Sequence, residues 1–420
     1  MQPWKAVALT SATKLYWIIG AMLSTVLTAH FLGPQGRGVI AVATTSVALF
    51  LTFGHLSLAN VVVYLAGRGD RGNFLSVVTG SLLSITTAVT LVCWTIAVLI
   101  YVLTGGRAFQ HIAPSFLLIA FAAVPFLLWL ENGNSILVVM GDLKRLNIAQ
   151  IAGTTTSILI VLVAVGVLKG GIAAALAATL VGSAVVVGIG LTRVLPASRP
   201  LAISGDVVRK LLGGGIRLQL GAIGTFFFTN VGVLLLNQFR PIAEAGYYQL
   251  AMQLTTATQV VPMAMAVVAY SIVAREGADG AWRQHRALVL QTMVYATAAA
   301  AGTYLTAPFI LPLLAGQSFA PAVPLFQILS LSVFGMSLAT VMVPQWVGRG
   351  YLLRASVLSL TIAAIGLAGN LFFVPRYGML ACAWVTVVCY SLHLVGGAGF
   401  AWWIERRAQR PAAALAPLRG

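Results

Sequence analysis

The chain has 420 residues, 60% of them hydrophobic and 8% charged, with a mean hydropathy of +0.97. That composition cannot cover a globule with polar surface, which excludes a soluble domain. A formal charge of +17 raises nucleic acid as a partner, but basic loops on one side of a membrane account for it, so no nucleic acid is expected.

Twelve apolar segments are marked off by charges, glycines and prolines. Those of the first half are Leu9–Leu32, Val39–Leu65, Phe74–Leu103, Ile112–Met140, Ile148–Leu168 and Ile172–Thr192. Those of the second half are Ile216–Phe239, Tyr247–Ala274, Ala287–Leu314, Val323–Val347, Leu352–Val374 and Met379–Ile404. The first has 24 residues, long enough to cross a bilayer and too long for a cleaved signal. Its Lys14 shares a helical face with Thr10, Ala21, Thr25 and Thr28. A charge there either lines a wet cavity and attracts an anion, or snorkels to the headgroups, or pairs with a carboxylate.

Glu131 lies deep in the fourth segment, roughly 13 Å from its basic end at about 1.5 Å per residue. Two readings stand side by side: a site coupling transport to a cation or proton, and an ion pair with Lys14. Gly54 in the second segment and Pro262 in the eighth occupy equivalent places and soften their helices, as hinges would. His30, His55 and His393 read as hydrogen-bonded core histidines. In the second half Gln219, Asn230 and Asn237 share one helix face, and Gln249, Gln253 and Thr256 another. Such amides bind sugar hydroxyls or join helices. Arg217, at the start of the seventh segment, is placed to meet a phosphate or to anchor at the interface. Cys93, Cys382 and Cys389 all fall inside apolar runs, so neither a disulfide framework nor a metal site is expected. No nucleotide or metalloprotease motif occurs, and no cofactor is expected.

Counting Lys and Arg by side gives 19 against 5, with Lys14 inside a segment, which places both termini in the cytoplasm. Three landmarks recur at a near-constant shift. His30–Ala43 matches Gln238–Ala251 at 208, while Gly141 matches Gly348 and Lys169–Gly171 matches Arg376–Gly378 at 207. The expected architecture is an all-α integral membrane protein with twelve transmembrane helices in two parallel six-helix bundles. Residues 1–195 form the first bundle, 196–215 a cytoplasmic linker with a short amphipathic helix, 216–404 the second bundle and 405–420 a basic tail. Ser204 or Asp206 is positioned to cap the linker helix.

Several stretches resemble bacterial polysaccharide flippases of the multidrug/oligosaccharidyl-lipid/polysaccharide exporter superfamily. They are Phe31–Gly38 (FLGPQGRG), Gly54–Asn60 with Tyr64, Leu211–Arg217, Gly246–Tyr248, and Asn370 with Pro375–Met379 and Ala381–Ala383. The resemblance covers nearly the whole chain. It implies an undecaprenyl-pyrophosphate-linked oligosaccharide as cargo, flipped by alternating access across the bacterial plasma membrane for O-antigen, capsule or exopolysaccharide. It also implies membrane lipids as partners, a coupling cation or proton, and transient association with a polysaccharide polymerase and glycosyltransferases. Many relatives carry Arg and Asp inside the seventh span, where this chain has Asn230 and Gly232. Lys14 and Arg217 are then the basic candidates for the pyrophosphate, with Thr25, Thr28, Asn230, Gln249 and Gln253 along the cargo path. A multidrug cation antiporter is the alternative within the superfamily. A membrane polymerase or ligase ranks third, because the outer loops have about ten residues or fewer; no catalytic residue is expected.

Overall fold

The computed structural model describes residues 3–66 and 73–409, and every regular element among them is helical. In chain order these are α1 (Pro3–Gly54), α2 (Leu58–Ala66), α3 (Phe74–Leu103), α4 (Pro114–Ala122), α5 (Val124–Val139), α6 (Leu143–Ile160) and α7 (Gly171–Ala197). The second half follows with α8 (Gly205–Phe239), α9 (Ile242–Ala257), α10 (Val260–Gly280), α11 (Trp282–Ala315), α12 (Val323–Ser330), α13 (Ser332–Gly348) and α14 (Leu352–Gln409). Among the described residues, nine helices are long and apolar enough to cross a membrane, or ten if the pair bent by 50° around Leu331 counts as one.

Two of those helices, Ala12–Ala66 and Leu352–Arg406, run for 55 residues and are kinked at a glycine. Gly33 (φ 66°) turns α1 before Pro34, and Gly378 (φ 60°) turns α14. Only glycine takes that left-handed backbone without cost. The halves of the chain repeat in their breaks as well. Ala123 separates α4 from α5 and Leu331 separates α12 from α13, 208 residues apart, while Gly171 and Gly378 share positive φ at a shift of 207.

At the end of the molecule that carries these glycine turns, the halves cross back to back. A Cβ on Gly38 would run into the carbonyl oxygen of Ile242, and one on Gly246 into that of Pro34. Both partners lie 208 residues apart, so each contact is the image of the other. Around the crossing, Ala41, Ala43, Ala245, Leu250 and Ala251 are wholly buried in one apolar cluster shared by α1 and α9. Close approach of small residues is how helices associate where water provides no hydrophobic drive. The opposite flanks expose Val98, Val102, Leu103, Val294, Leu305, Phe309 and Leu313, surface suited only to acyl chains.

The segment between the halves is strapped down. Ser198 Oγ lies 2.8 Å from Thr79 Oγ1, the Ala202 amide donates to the Ser76 carbonyl, and Ser204 N reaches Ser81 Oγ. Gly205–Leu212, expected as a separate interfacial helix, forms the first turns of α8 instead. Ser204 stands at its N-cap without a side-chain capping bond.

Gly38→Val and Gly246→Val should each overpack this crossing, by about 1–3 kcal/mol, and lower the melting temperature in detergent by several degrees. Gly188→Ala, where an added Cβ meets nothing within 4 Å, should leave the melt unchanged or slightly raised.

Candidate functional site

One polar cavity of about 340 Å³ lies between α1, α5, α6, α7 and α9. Trp17, Ala21, Ser24, Thr25 and Thr28 line it from the first arm of α1, Gln150 and Thr154 from α6, Thr179 and Ser183 from α7, and Gln249 and Gln253 from α9. Four residues expected on the cargo path, Thr25, Thr28, Gln249 and Gln253, therefore meet in one space. Larger hollows near Trp94–Phe121 (550 Å³) and Phe373–Val388 (490 Å³) are apolar and sit on the exposed flanks, where lipid tails belong.

Arg37 supplies the cavity's charge. In the sequence it falls between the first two apolar segments, among the five basic residues of the outer side. Gly33 and Pro34, however, restart the helix at once, so Arg37 stands a full turn inside it and shares a face with Ile40 and Thr44. Its side chain is 6% exposed. Nη2 donates to Gln253 Oε1 at 3.1 Å and lies 3.5 Å from Thr25 Oγ1, which donates to the same Gln253 oxygen at 2.8 Å. Arg37 Nε has no partner among the described residues. The Thr28 hydroxyl turns back onto the carbonyls of Ser24 and Thr25. The glycine–proline helix start was the sequence signal for Arg37, and it was outweighed by counting the residue as a loop charge.

Other expected residues lie elsewhere. Lys14 is exposed, on the face of α1 that lines the cavity but two turns before Ala21 and outside the lining. Asn230 donates to Thr229 Oγ1 at 2.7 Å and does not reach the cavity. Arg217's side chain lies outside the described residues. The Lys14–Glu131 pair does not form. Glu131 Oε2 is 3.3 Å from His55 Nδ1, because the second segment breaks just where it passes α5. His55 is thus held by a carboxylate, while His30 is exposed and His393 Nε2 lacks a partner, so these last two do not fit the hydrogen-bonded core reading.

That break follows Gly54 directly. Residues 55–57 leave the helix, with Leu56 and Ser57 at φ 47° and 49°, a strained region for side-chain-bearing residues. Unwinding frees the Thr52 carbonyl, which Gln219 Nε2 of α8 takes up, while Ser57 Oγ donates to Gln219 Oε1 at 2.8 Å. The second half has a counterpart. Pro262 leaves the Thr258 carbonyl without its helical donor, and Tyr295 OH fills the place at 2.8 Å. A membrane interior demands such replacements, since no water is there to make them.

A family profile described as polysaccharide biosynthesis protein matches residues 27–324. The chain belongs to the polysaccharide biosynthesis protein family. No curated protein matches it by sequence. Among solved structures this polysaccharide biosynthesis protein is similar to the lipid II flippase MurJ in an inward closed conformation (TM-score 0.74, 11% identity, covering 96% of this chain and 90% of that one). It is also similar to an inward-facing multidrug resistance MATE family transporter of the MOP superfamily (TM-score 0.69, 14% identity, 96% and 99% covered). A MOP superfamily transporter from Pyrococcus furiosus Vc1 aligns as well (TM-score 0.62, 14% identity, 97% and 96% covered). At these identities the likeness establishes the fold shared by MATE and MurJ.

Two substitutions separate structural polar groups from spare ones. Gln219→Leu strands the Thr52 carbonyl and the Ser57 hydroxyl and should cost about 1–3 kcal/mol in thermal or denaturant unfolding. Glu131→Gln, at a carboxylate whose side chain is 58% exposed, should cost about 1 kcal/mol or less in the same assay.

Proposed function

We infer that the chain carries a polyprenyl-pyrophosphate-linked oligosaccharide, undecaprenyl in bacteria, from the inner to the outer leaflet of the plasma membrane for surface polysaccharide assembly. The observation behind this is Arg37: a buried guanidinium one turn beyond Pro34, with an unused Nε, facing a cavity of threonines and glutamines. A buried cation is costly to keep unless something anionic visits it. Threonine and glutamine suit the sugar hydroxyls, and the prenyl tail stays in lipid. A multidrug cation as cargo fits less well, since no described residue lining the cavity is a carboxylate.

In this reading each 55-residue helix counts as two spans and the bent pair as one, making twelve in two six-helix bodies with cytoplasmic termini. The crossing at Gly38 and Gly246 then closes the outer side, and the cavity faces the cytoplasm. Lys14 and Arg217 gather the pyrophosphate at the cytoplasmic mouth. Gly54 and Pro262 are the hinges on which the bodies rock. An inside-negative potential assists outward movement of the anionic head, by about 2.3 kcal/mol per charge per 100 mV. Glu131, with His55 at the break of the second span, is assigned the coupling to a proton or cation that resets the empty carrier.

In cells that depend on this chain for surface polymer, Arg37→Ala should abolish the polymer at unchanged protein level. Arg37→Lys should retain part of it, and Lys14→Ala should lower it only a few-fold. Polymer at the normal level in Arg37→Ala would overturn the reading. A thiol at Ser24, introduced as Ser24→Cys, should react with impermeant maleimide in inverted vesicles and not in intact cells. The three native cysteines are buried and should stay silent.

A further inference from the structure

Inside the cavity one oxygen atom links the two halves of the chain. Gln253 Oε1, on α9, accepts from the Thr25 hydroxyl at 2.8 Å and from Arg37 Nη2 at 3.1 Å, and both donors belong to α1. A hydroxyl and a guanidinium converging on one oxygen is the environment an anion's oxygen would choose. Gln253 fills that place incompletely. Its amide is neutral, and Nε, which shares one edge of the guanidinium with Nη2, stays buried and unpartnered. That edge presents two parallel N–H donors and is half used; two oxygens on one phosphorus would use both.

We propose that Gln253 Oε1 is a place-holder for a phosphoryl oxygen, and that a phosphate-bearing cargo displaces it from Arg37 and Thr25. This rests on the cavity being a phosphate site and adds to it a selectivity filter and a trigger. A neutral sugar hydroxyl offers Arg37 no more than the amide already does, so it cannot take the place. A diphosphate adds charge and satisfies Nε, so it can. When it does, the direct polar link between α1 and α9 in the cavity is broken while the Gly38–Gly246 crossing stays, and the cavity end of α9, with the α10 that follows, is free to shift about that crossing. Gln249, one turn before Gln253 on the same face, remains to receive the cargo.

The test is binding of farnesyl diphosphate, a short polyprenyl diphosphate, to the purified full-length chain in nanodiscs, followed through fluorescence of Trp17 at the cavity wall. Gln253→Leu removes the internal competitor and should bind about tenfold tighter than wild type, the gain expected for one hydrogen bond to a charged group. Gln253→Glu installs a fixed carboxylate and should bind at least about tenfold weaker. Arg37→Ala should lose saturable binding. If Arg37→Ala loses binding but Gln253→Leu binds no more tightly than wild type, the place-holder is overturned and the phosphate site stands. If wild type does not bind, or Arg37→Ala binds as wild type does, the phosphate site itself fails. Nitroxides at Ile19 on α1 and Val267 on α10, both exposed, read the trigger. Their distance distribution should shift on adding farnesyl diphosphate to wild type and be shifted beforehand in Gln253→Leu. An unchanged distribution in both overturns the release of α9. Unfolding of each variant by heat in the same nanodiscs controls for loss of fold.

Discussion

Two helix backbones touching through absent side chains hold this molecule together. At Gly38 and Gly246 the helix of each half lays a carbonyl, from Ile242 and Pro34, into the space where the other would carry a Cβ. No acyl chain or water fits between them, so the halves meet by dispersion over wholly buried alanines and leucines rather than by hydrophobic drive. Next to that crossing, the first arm of α1, the helices α5 to α7 and α9 leave the space that becomes the cavity.

The diverging arms are broken, and the breaks are repaired from neighbouring helices. Gln219 answers the carbonyl freed at residues 55–57, and Tyr295 the one freed by Pro262. In a membrane an unrepaired carbonyl costs several kcal/mol, so a repaired break is a stable feature whose partner can be exchanged or lost only at some cost. That gives the second and eighth segments defined breaks in their helical hydrogen bonding without leaving backbone groups unpaired there. The linker is strapped to α3 rather than left as a slack tether between the halves.

Charge is distributed to the same end. Among the described residues, five of the seven carboxylates pair with Arg or Lys, among them Asp142 with Arg193, Asp279 with Arg349 and Glu405 with Arg286. Glu244 is used twice, pairing with Arg240 and accepting from the Met379 amide just after the Gly378 turn. The acids are largely spent on structure, and among the described residues the charged group lining the cavity is a cation, Arg37.

Periodicity and composition by themselves determined that the chain is helical and membrane-embedded, where most segments run, and that its halves repeat. Those properties depend on hydropathy and on glycine and proline, which act locally. The polar face of α1 through Thr25 and Thr28 was legible for the same reason, as was the pairing of Gly54 with Pro262 as places where helices break. Tertiary structure decided which polar groups meet. Thr25, Arg37 and Gln253 stand 12 and 216 residues apart along the chain, and Glu131 turns to His55 rather than Lys14. A one-turn difference in where a helix restarts sends a guanidinium to the aqueous rim or into the cavity. That choice is made by the packing of helices distant in sequence, and no local pattern encodes it.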